Sequence, residues 1–359
     1  MVITETMKNM FLFLCTAVVL TGCAGNENQD YQDGQQITTI DFQDLVKDHD
    51  GQNHEIQNYE SELSTAANSD TFESDSSPQE STDYTQQNET ALDLYTGFIK
   101  NEVSAITAPD YPQNDYITYN LEPGKSYTFA TLGDYVNMRY LNPEYSEKTT
   151  YDDAQYVYLD CPDSNAKNLL VKFSGLGIYA PEDDSYAVYV ITEKDGQLYL
   201  TDSYECWARS ATNACKNGLF TTGGSNGADD QYTGILALLD SGKLADIYGA
   251  EILSGWCVSY VSNEDIYNEV FDGNKDIIFT VAIYTIGEKR FYTYDMSECT
   301  DDQISVCETY VNRCREEIGI EWVTGEAIEE AIRERCSTLG IDDHALDQME
   351  EAQWVGIEY

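Results

Sequence analysis

Apolar and polar residues alternate along several short stretches of the chain. Four runs follow the two-residue period of a β-strand: Tyr156–Tyr158, Leu170–Phe173, Tyr186–Ile191 and Leu198–Leu200. The last two runs flank Lys194-Asp195-Gly196-Gln197. An Asp-Gly step favours a two-residue hairpin, because glycine readily adopts the positive φ that such a turn requires. The pattern therefore predicts an antiparallel hairpin at this step.

The same alternation continues towards residue 300. A second hairpin is predicted between Ile277–Ile286 and Arg290–Tyr294, with its turn at Gly287-Glu288. One further strand is predicted within Gly249–Val261. Tyrosine is frequent in these runs, since 25 of the 28 tyrosines lie from residue 95 onwards. We therefore expect a β-rich domain over residues 95–298, built from tyrosine-rich hairpins.

A period of 3.6 residues replaces the alternation at the carboxyl end. Thr300 and Gln303 have the spacing of a capping box and predict a helix that runs to Gly319. A second helix is predicted over Gly325–Leu339, and Asp342 or Asp343 is expected to cap a short third one. Strands followed by helices indicate an α+β fold, with helices at 299–359 packed on the β-rich domain.

The amino terminus has the features of an export signal. The apolar run Met10–Leu20 is shorter than the ~20 residues that a membrane-spanning helix needs. It ends in Leu20-Thr21-Gly22-Cys23, which resembles the bacterial lipobox, where small residues precede a cysteine that accepts lipid. Residues 1–22 are therefore expected to be a signal peptide, and acyl chains on Cys23 to hold the protein at the outer side of the cytoplasmic membrane. The alternative is a free cysteine behind an ordinary signal peptide.

Residues 23–94 differ from the rest in composition. Residues 24–94 carry a net charge of −16 over 71 residues and contain few apolar side chains. Such a segment buries too little surface to offset its conformational entropy, which predicts a disordered acidic tether. Residues 95–359 carry a further −30, and this charge excludes nucleic acid as a partner because phosphate binding requires clustered Lys and Arg.

Eight cysteines lie beyond the tether: Cys161, Cys206, Cys215, Cys257, Cys299, Cys307, Cys314 and Cys336. Eight cysteines allow 105 pairings, and sequence does not choose among them. Cys307 and Cys314 are ~10 Å apart along one predicted helix, which excludes a bond between them. Either of them is expected to be able to reach Cys336. Both disulfides and buried free thiols fit this composition.

Residues with catalytic or binding chemistry are few. His344 is the only histidine after residue 94, which argues against serine- and cysteine-based triads. The segment Tyr204–Ser210 combines aromatic, cationic and hydroxyl side chains, which suit a sugar or a peptide, and Gly223–Gly227 is the richest glycine cluster. From these two segments we take Trp207, Arg209, Ser225 and Asn226 as candidate ligand-binding residues. The alternative is that Trp207 lies in the core, that Arg209 pairs with an acid, and that Gly223–Gly227 is a loop joining strands.

Three groups of segments carry a family resemblance: Tyr95–Ala105, Tyr158–Cys161 with Leu169–Phe173, and Trp207–Ser210 with Gly223–Ala228. They resemble a group of uncharacterised exported lipoproteins from gut clostridia. The resemblance implies location rather than mechanism. It also implies an acidic turn similar to the calcium loops of FG-GAP-type repeats, here Asp160, Asp163 and Asn165. Pro162 and Ser164 occupy two positions where such loops place acids.

These observations predict a lipid-anchored binding or interaction module. Its expected partners are the membrane, through Cys23, and the cell wall or a surface protein. No cofactor is expected beyond calcium at the Asp160 turn. The alternative is a hydrolase of wall or other glycans that uses a pair of carboxylates, since 47 Asp and Glu lie in residues 95–359.

Overall fold

The computed structural model describes residues 91–113, 121–141, 148–164, 166–178, 185–262, 264–271 and 279–358. The predicted signal peptide, Cys23 and the tether up to residue 90 lie outside the described residues. The described part confirms the predicted α+β class, with two largely antiparallel sheets and helices packed against them. In this part of the chain, no helix is both long and apolar enough to cross a membrane.

The first sheet has seven strands. In spatial order they are β13 (Val355–Gly356), β3 (Asp153–Asp160), β4 (Lys167–Ser174), β5 (Tyr186–Lys194), β6 (Gln197–Cys206), β1 (Ala105–Thr107) and β2 (Ser126–Tyr127). All neighbours are antiparallel except β1 and β6, which are parallel. The predicted hairpin joins β5 to β6, with φ of 54° at Asp195 and 77° at Gly196. Positive φ at both positions is the requirement that favoured the Asp-Gly step.

The second sheet has six antiparallel strands. In spatial order they are β12 (Lys289–Asp295), β11 (Thr280–Ile286), β10 (Leu244–Ser254), β9 (Asp230–Leu238), β8 (Leu219–Ser225) and β7 (Ser210–Ala214). The second predicted hairpin is confirmed as β11–β12, which turns at Gly287. Ile277 and Ile278 of that prediction lie outside the described residues.

The strand predicted within Gly249–Val261 is confirmed as the second half of β10. Strand β10 ends at Ser254, and the chain continues as a 3-10 helix, Gly255–Tyr260. Gly255 has a φ of 52°, which directs the chain out of the sheet. The glycine cluster differs from the expected loop, because Gly223, Gly224 and Ser225 belong to β8.

The two sheets pack face to face. Val157, Leu170 and Val188 of the first sheet contact a cluster that contains Phe220 and Leu238 of the second. Along β9, the neighbouring residues Ile235 and Ala237 point to the opposite face and contact the last long helix instead. This alternation gives each face of the second sheet its own apolar cluster.

A buried polar network also joins the sheets. Thr192 Oγ1 donates to Asn168 Oδ1 at 2.5 Å, and Thr201 Oγ1 donates to the carbonyl of Gly242 at 2.9 Å. Gly242 lies in the β9–β10 turn, whereas the two threonines lie on β5 and β6. The amide of Leu244 donates to Asp202 Oδ2 at 2.8 Å. These bonds fix the β9–β10 turn against the first sheet.

Two helices cover the outer face of the first sheet. Helix α1 is described over residues 91–99, so Ala91 and Leu94 from the stretch predicted as tether are helical and contact the core. Helix α2 (Phe129–Tyr140) begins with a capping box at Thr128. Tyr95 and Phe129 are buried in this layer against Phe173 and its neighbours.

The carboxyl-terminal helices cover the second sheet. Helix α3 (Glu264–Phe271) and helix α4 (Asp301–Ile318) form one cluster with Leu253 and Val281. Helix α5 (Gly325–Thr338) places Ile328, Ile332 and Cys336 in another. A 3-10 helix follows at Asp343–Gln348, capped by Asp342 as expected. Cys307 and Cys314 belong to the first of these clusters and Cys336 to the second. No disulfide joins these three described residues, and a bond from α4 to Cys336 stays a prediction.

Candidate functional site

One end of the second sheet brings several strand ends together. Strand β7 begins at Ser210, β8 ends at Ser225, β9 begins at Asp230 and β10 ends at Ser254. Because neighbouring strands are antiparallel, these residues lie at the same end of the sheet. We call this end the rim: it consists of residues 207–210, residues 225–230, and the 3-10 helix Gly255–Tyr260.

The rim contains all four residues expected to bind a ligand. Trp207 and Arg209 precede β7. Ser225 is the last residue of β8, the strand paired with β7, and Asn226 follows it. The amide of Ser225 donates to the carbonyl of Arg209 at 3.0 Å, which fixes the two turns side by side. Arg209 is exposed, and among the described residues it forms no ion pair with a carboxylate.

Ser225 and Asn226 shape the β8–β9 turn. The hydroxyl of Ser225 donates to the carbonyl of Gly227, and the amide of Asn226 donates to the carbonyl of Asp230 at 3.0 Å. The Asn226 side-chain amide also donates to Asp230 Oδ2 at 3.3 Å. These polar groups are therefore already engaged within the turn, and Trp207 and Arg209 are the better placed of the four to meet a ligand.

Two aromatic side chains project from the rim. Trp256 is 58% exposed and Tyr260 is 51% exposed. Their ring centroids are 5.1 Å apart, and the rings meet edge to face at 74°. Large aromatic residues are usually buried or half-buried, so an adjacent exposed pair on a folded surface points to a binding role. This pair was not predicted from the sequence, which indicated only a strand within Gly249–Val261.

The 3-10 helix that carries this pair is held from below. Cys257 and Val258 are buried in the cluster formed with α4. The Tyr310 hydroxyl donates to the Val258 carbonyl at 2.8 Å, and the Tyr267 hydroxyl donates to the Gly255 carbonyl at 3.0 Å. A Cβ atom on Gly255 would lie 2.9 Å from Asp229 Oδ2. The aromatic rings are thus presented on a fixed backbone.

Negative charge is concentrated beside the aromatic pair. Burial raises the pKa of Glu251, and the neighbouring Asp230 raises it further, while Arg290 opposes them. Burial also raises the pKa of the Cys257 thiol, followed by the charges of Asp230, Asp229 and Glu251. One carboxylate oxygen of Asp230 is buried without a hydrogen-bond partner among the described residues. Asp229 and Asp230 of the rim and the adjoining Glu251 of β10 therefore form one small acidic region.

No protein-family model, curated protein or solved structure matches this chain. The rim and the adjoining Glu251 together offer two exposed aromatic rings, three carboxylates and the exposed guanidinium of Arg209. The face of an aromatic ring attracts a cation within ~6 Å, and a carboxylate attracts the same cation by charge. This combination is suited to a ligand that carries amino groups on apolar stems.

The residues expected to bind calcium lie elsewhere, near the β3–β4 turn. Asp160 forms an ion pair with Lys167, and the Asp163 carboxylate accepts the amide of Asp240 at 3.1 Å. Asn165 lies outside the described residues. Where the chain is described, no three His, Cys, Asp or Glu side chains are grouped as metal ligands. Both described carboxylates already bind protein groups, and calcium at this turn stays a prediction.

A second polar cluster is buried between α2 and the first sheet. The Tyr140 hydroxyl donates to Glu205 Oε1 at 2.5 Å, and Tyr189 lies fully buried beside them. Burial raises the pKa of Glu205, and the bond from Tyr140 opposes this effect. No single residue of this cluster stood out in the sequence. Since Tyr140 and Tyr189 are buried and Glu205 is half-buried, we assign the cluster to stability.

The raised pKa of Glu205 predicts how stability varies with pH. A folded state that holds this proton more tightly than the unfolded chain is most favoured below the usual pKa of 4.5, and the advantage is lost as pH rises through the raised pKa. We expect the Glu205→Gln variant, which keeps an acceptor for Tyr140, to lose less stability between pH 4.5 and neutrality. Melting temperatures across this range test it, with Glu102→Gln at an exposed position as control. Identical pH profiles for wild type and Glu205→Gln would refute this role.

Proposed function

We propose that this protein is a binding module, held by lipid on Cys23 at the outer side of the membrane, whose rim binds basic peptide segments at the cell surface. The observation that carries the proposal is the exposed Trp256–Tyr260 pair beside Asp229, Asp230 and Glu251. The lipobox-like Leu20–Cys23 supports the location. The basic peptide belongs to the wall or to a surface protein.

Charge decides the class of ligand. The chain has a formal net charge of −46, which repels anionic partners and draws cationic ones towards the surface. Long-range attraction alone does not select a site, because exposed charges are screened beyond about 8 Å at physiological salt. The aromatic pair supplies the local contact, since each cation–π contact contributes about 0.5–2 kcal/mol. Arg209 adds a donor for a peptide carbonyl or carboxylate.

A titration with a defined peptide tests the choice of ligand. Calorimetry of the full chain with tetralysine is expected to show binding that weakens as salt is raised. Tetralysine acetylated on its side-chain amines is the matched control, because acetylation removes the positive charge and leaves the stems. Binding of neither peptide, or equal binding of both, would contradict a cation-binding rim.

A second candidate is the carboxylate-based glycan hydrolase. Glu251 has a raised pKa and lies near Asp230, and a protonated acid beside a second carboxylate is the pair that glycoside hydrolysis uses. The Glu251→Gln variant separates the two functions. A hydrolase would lose glycan cleavage in this variant, whereas the binding proposal expects no cleavage by the wild type and weaker binding of tetralysine by Glu251→Gln.

The anchor makes a separate prediction. In bacteria that express the full chain, the wild type is expected to enter the detergent phase of a cloud-point extraction, because two acyl chains suffice for stable membrane attachment. Cys23→Ser is expected to remain in the aqueous phase. Cys15→Ser changes a neighbouring cysteine and should behave like the wild type. Equal partitioning of Cys23→Ser and wild type would exclude lipid on Cys23.

A further inference from the structure

Two cysteine sulfurs lie close together at the start of α4. The Sγ atoms of Cys299 and Cys307 are 3.9 Å apart. In a continuous helix, residues eight apart are ~12 Å apart along the axis, which is beyond disulfide reach. Cys299 instead precedes the helix, in a turn where its amide donates to the Met296 carbonyl at 3.0 Å. The turn brings Cys299 back over the second turn of α4.

The backbone on both sides of the pair is held in place. Thr300 caps α4, with its amide donating to Gln303 Oε1 at 2.9 Å, so the chain leaves Cys299 in a fixed direction. Cys307 is fully buried in the cluster that α4 forms with the second sheet. A disulfide has a sulfur–sulfur distance of about 2.05 Å. Rotation of the Cys299 side chain, with a small shift of its turn, is the movement needed to bring the sulfurs together.

Cys299 is also the cysteine that an oxidant can reach. Of the eight cysteines in the described part of the chain, the other seven are buried, and Cys299 is partly exposed. In such a pair, the partly exposed thiol reacts first with the oxidant to form a mixed disulfide. The buried thiol then attacks this mixed disulfide and forms the intramolecular bond.

We propose that Cys299 and Cys307 form an intramolecular disulfide when the protein meets a low-molecular-weight disulfide such as oxidised glutathione. The Cys299 thiolate attacks one sulfur of the oxidant, and the oxidant's other sulfur leaves as a thiolate. The Cys307 thiol then attacks Cys299 Sγ and passes its proton to the departing thiolate, which leaves as the second thiol. The two cysteines are oxidised by two electrons, and the disulfide reagent is reduced to two thiols.

The first step favours the second. Burial raises the pKa of Cys307 to about 12, and the neighbouring Cys299 contributes to this rise. Once Cys299 is held in a mixed disulfide, it carries no thiolate charge, so its contribution to the raised pKa of Cys307 disappears. The nucleophile and its target then need only a side-chain rotation and a small shift of the Cys299 turn to meet.

The bond would also fix the element that supports the rim. Helix α4 carries Tyr310, whose hydroxyl binds the carbonyl of Val258 beneath Trp256 and Tyr260. Closing a short loop at the start of α4 restricts the unfolded chain, which is expected to raise the melting temperature by about 5 °C in the oxidised protein.

Tryptic digestion gives a direct test, because both cysteines fall in one peptide, Phe291–Arg313, which contains no other cysteine. The full chain is incubated with oxidised glutathione, its remaining thiols are alkylated, and the mass of this peptide is measured by mass spectrometry. We expect an unalkylated peptide that is lighter by two hydrogen atoms than the reduced one, and a raised melting temperature. Alkylation at both cysteines, or glutathione that stays on Cys299, would overturn the proposal.

Two variants make the test specific. Cys299→Ser replaces the partly exposed partner and should leave Cys307 as a free thiol, with no rise in melting temperature on oxidation. Cys314→Ser changes a buried cysteine of the same helix and should form the bond as the wild type does. A rise in melting temperature that persists in Cys299→Ser would show that another pair is responsible.

Discussion

Replacing Phe173 by alanine is expected to lower the free energy of unfolding by about 4 kcal/mol. Phe173 is fully buried in β4, and its ring lies 5.7 Å from Phe129, 4.9 Å from Tyr151 and 6.1 Å from Tyr189 between centroids. It joins α2 to the first sheet. Truncation would remove these contacts and leave a cavity that the surrounding aromatic rings, fixed by both layers, cannot fill.

Urea unfolding of the full chain, followed by tryptophan fluorescence, measures this loss. Met138→Ala is the matched control, because Met138 lies on α2 but is 67% exposed. Its effect should be within about 0.5 kcal/mol of zero. A loss below about 1 kcal/mol for Phe173→Ala would mean that this side chain does not hold the helical layer to the sheet.

Gly242→Ala is expected to be nearly as damaging, at about 3–5 kcal/mol, for a different reason. Gly242 has a φ of 74°, and a Cβ atom there would lie 1.8 Å from Thr192 Oγ1 and 2.4 Å from Thr201 Oγ1. Both threonines are buried and belong to the polar network that joins the sheets. Alanine would displace them and leave buried hydroxyl or carbonyl groups without partners.

The contribution of backbone conformation alone is separable from this clash. Gly124 has a φ of 78°, and a Cβ atom there meets nothing within 4 Å. Gly124→Ala should therefore cost only the ~1 kcal/mol of a left-handed L-residue. Denaturant unfolding of both variants separates the cost of the left-handed backbone from the cost of the clash with the threonines. Equal losses would show that the threonine network contributes nothing to holding the sheets together.

The elements predicted from sequence are those that short-range chemistry determines. The Asp195-Gly196 hairpin follows from the positive φ its turn requires, and α4 follows from the reciprocal bonds of Thr300 and Gln303. Both depend on residues within four positions of one another. The tertiary contacts of the folded protein are compatible with these locally determined elements.

Helix α2 was missed, although its sequence carried a signal. Its buried residues Phe129, Leu132, Val136 and Tyr140 recur at helical spacing, and Thr128 with Thr131 caps it. Strands β7 and β8 were harder to predict. Thr, Asn, Gly and Ser fill them, and they hold their place because β9 pairs with β8 and Phe220 packs on the first sheet. That support comes from residues far along the chain.

The candidate site was partly visible in the sequence. Trp207 and Arg209 were selected for their chemistry, and strand pairing brings them beside the β8–β9 turn. The aromatic pair was hidden, because the sequence indicated only a strand within Gly249–Val261 and no surface element after it. Gly255 was the available signal, since a glycine inside an apolar run marks a place where the chain can leave a sheet.

The central claim is that the rim, rather than the acidic surface in general, binds basic peptides. The most direct test is a calorimetric titration of tetralysine into wild type, Trp256→Ala and Met138→Ala, which shortens an exposed apolar side chain on α2. We predict about tenfold weaker binding for Trp256→Ala, and unchanged binding for Met138→Ala. Equal affinities for all three proteins would contradict the claim and show that the peptide binds by net charge alone.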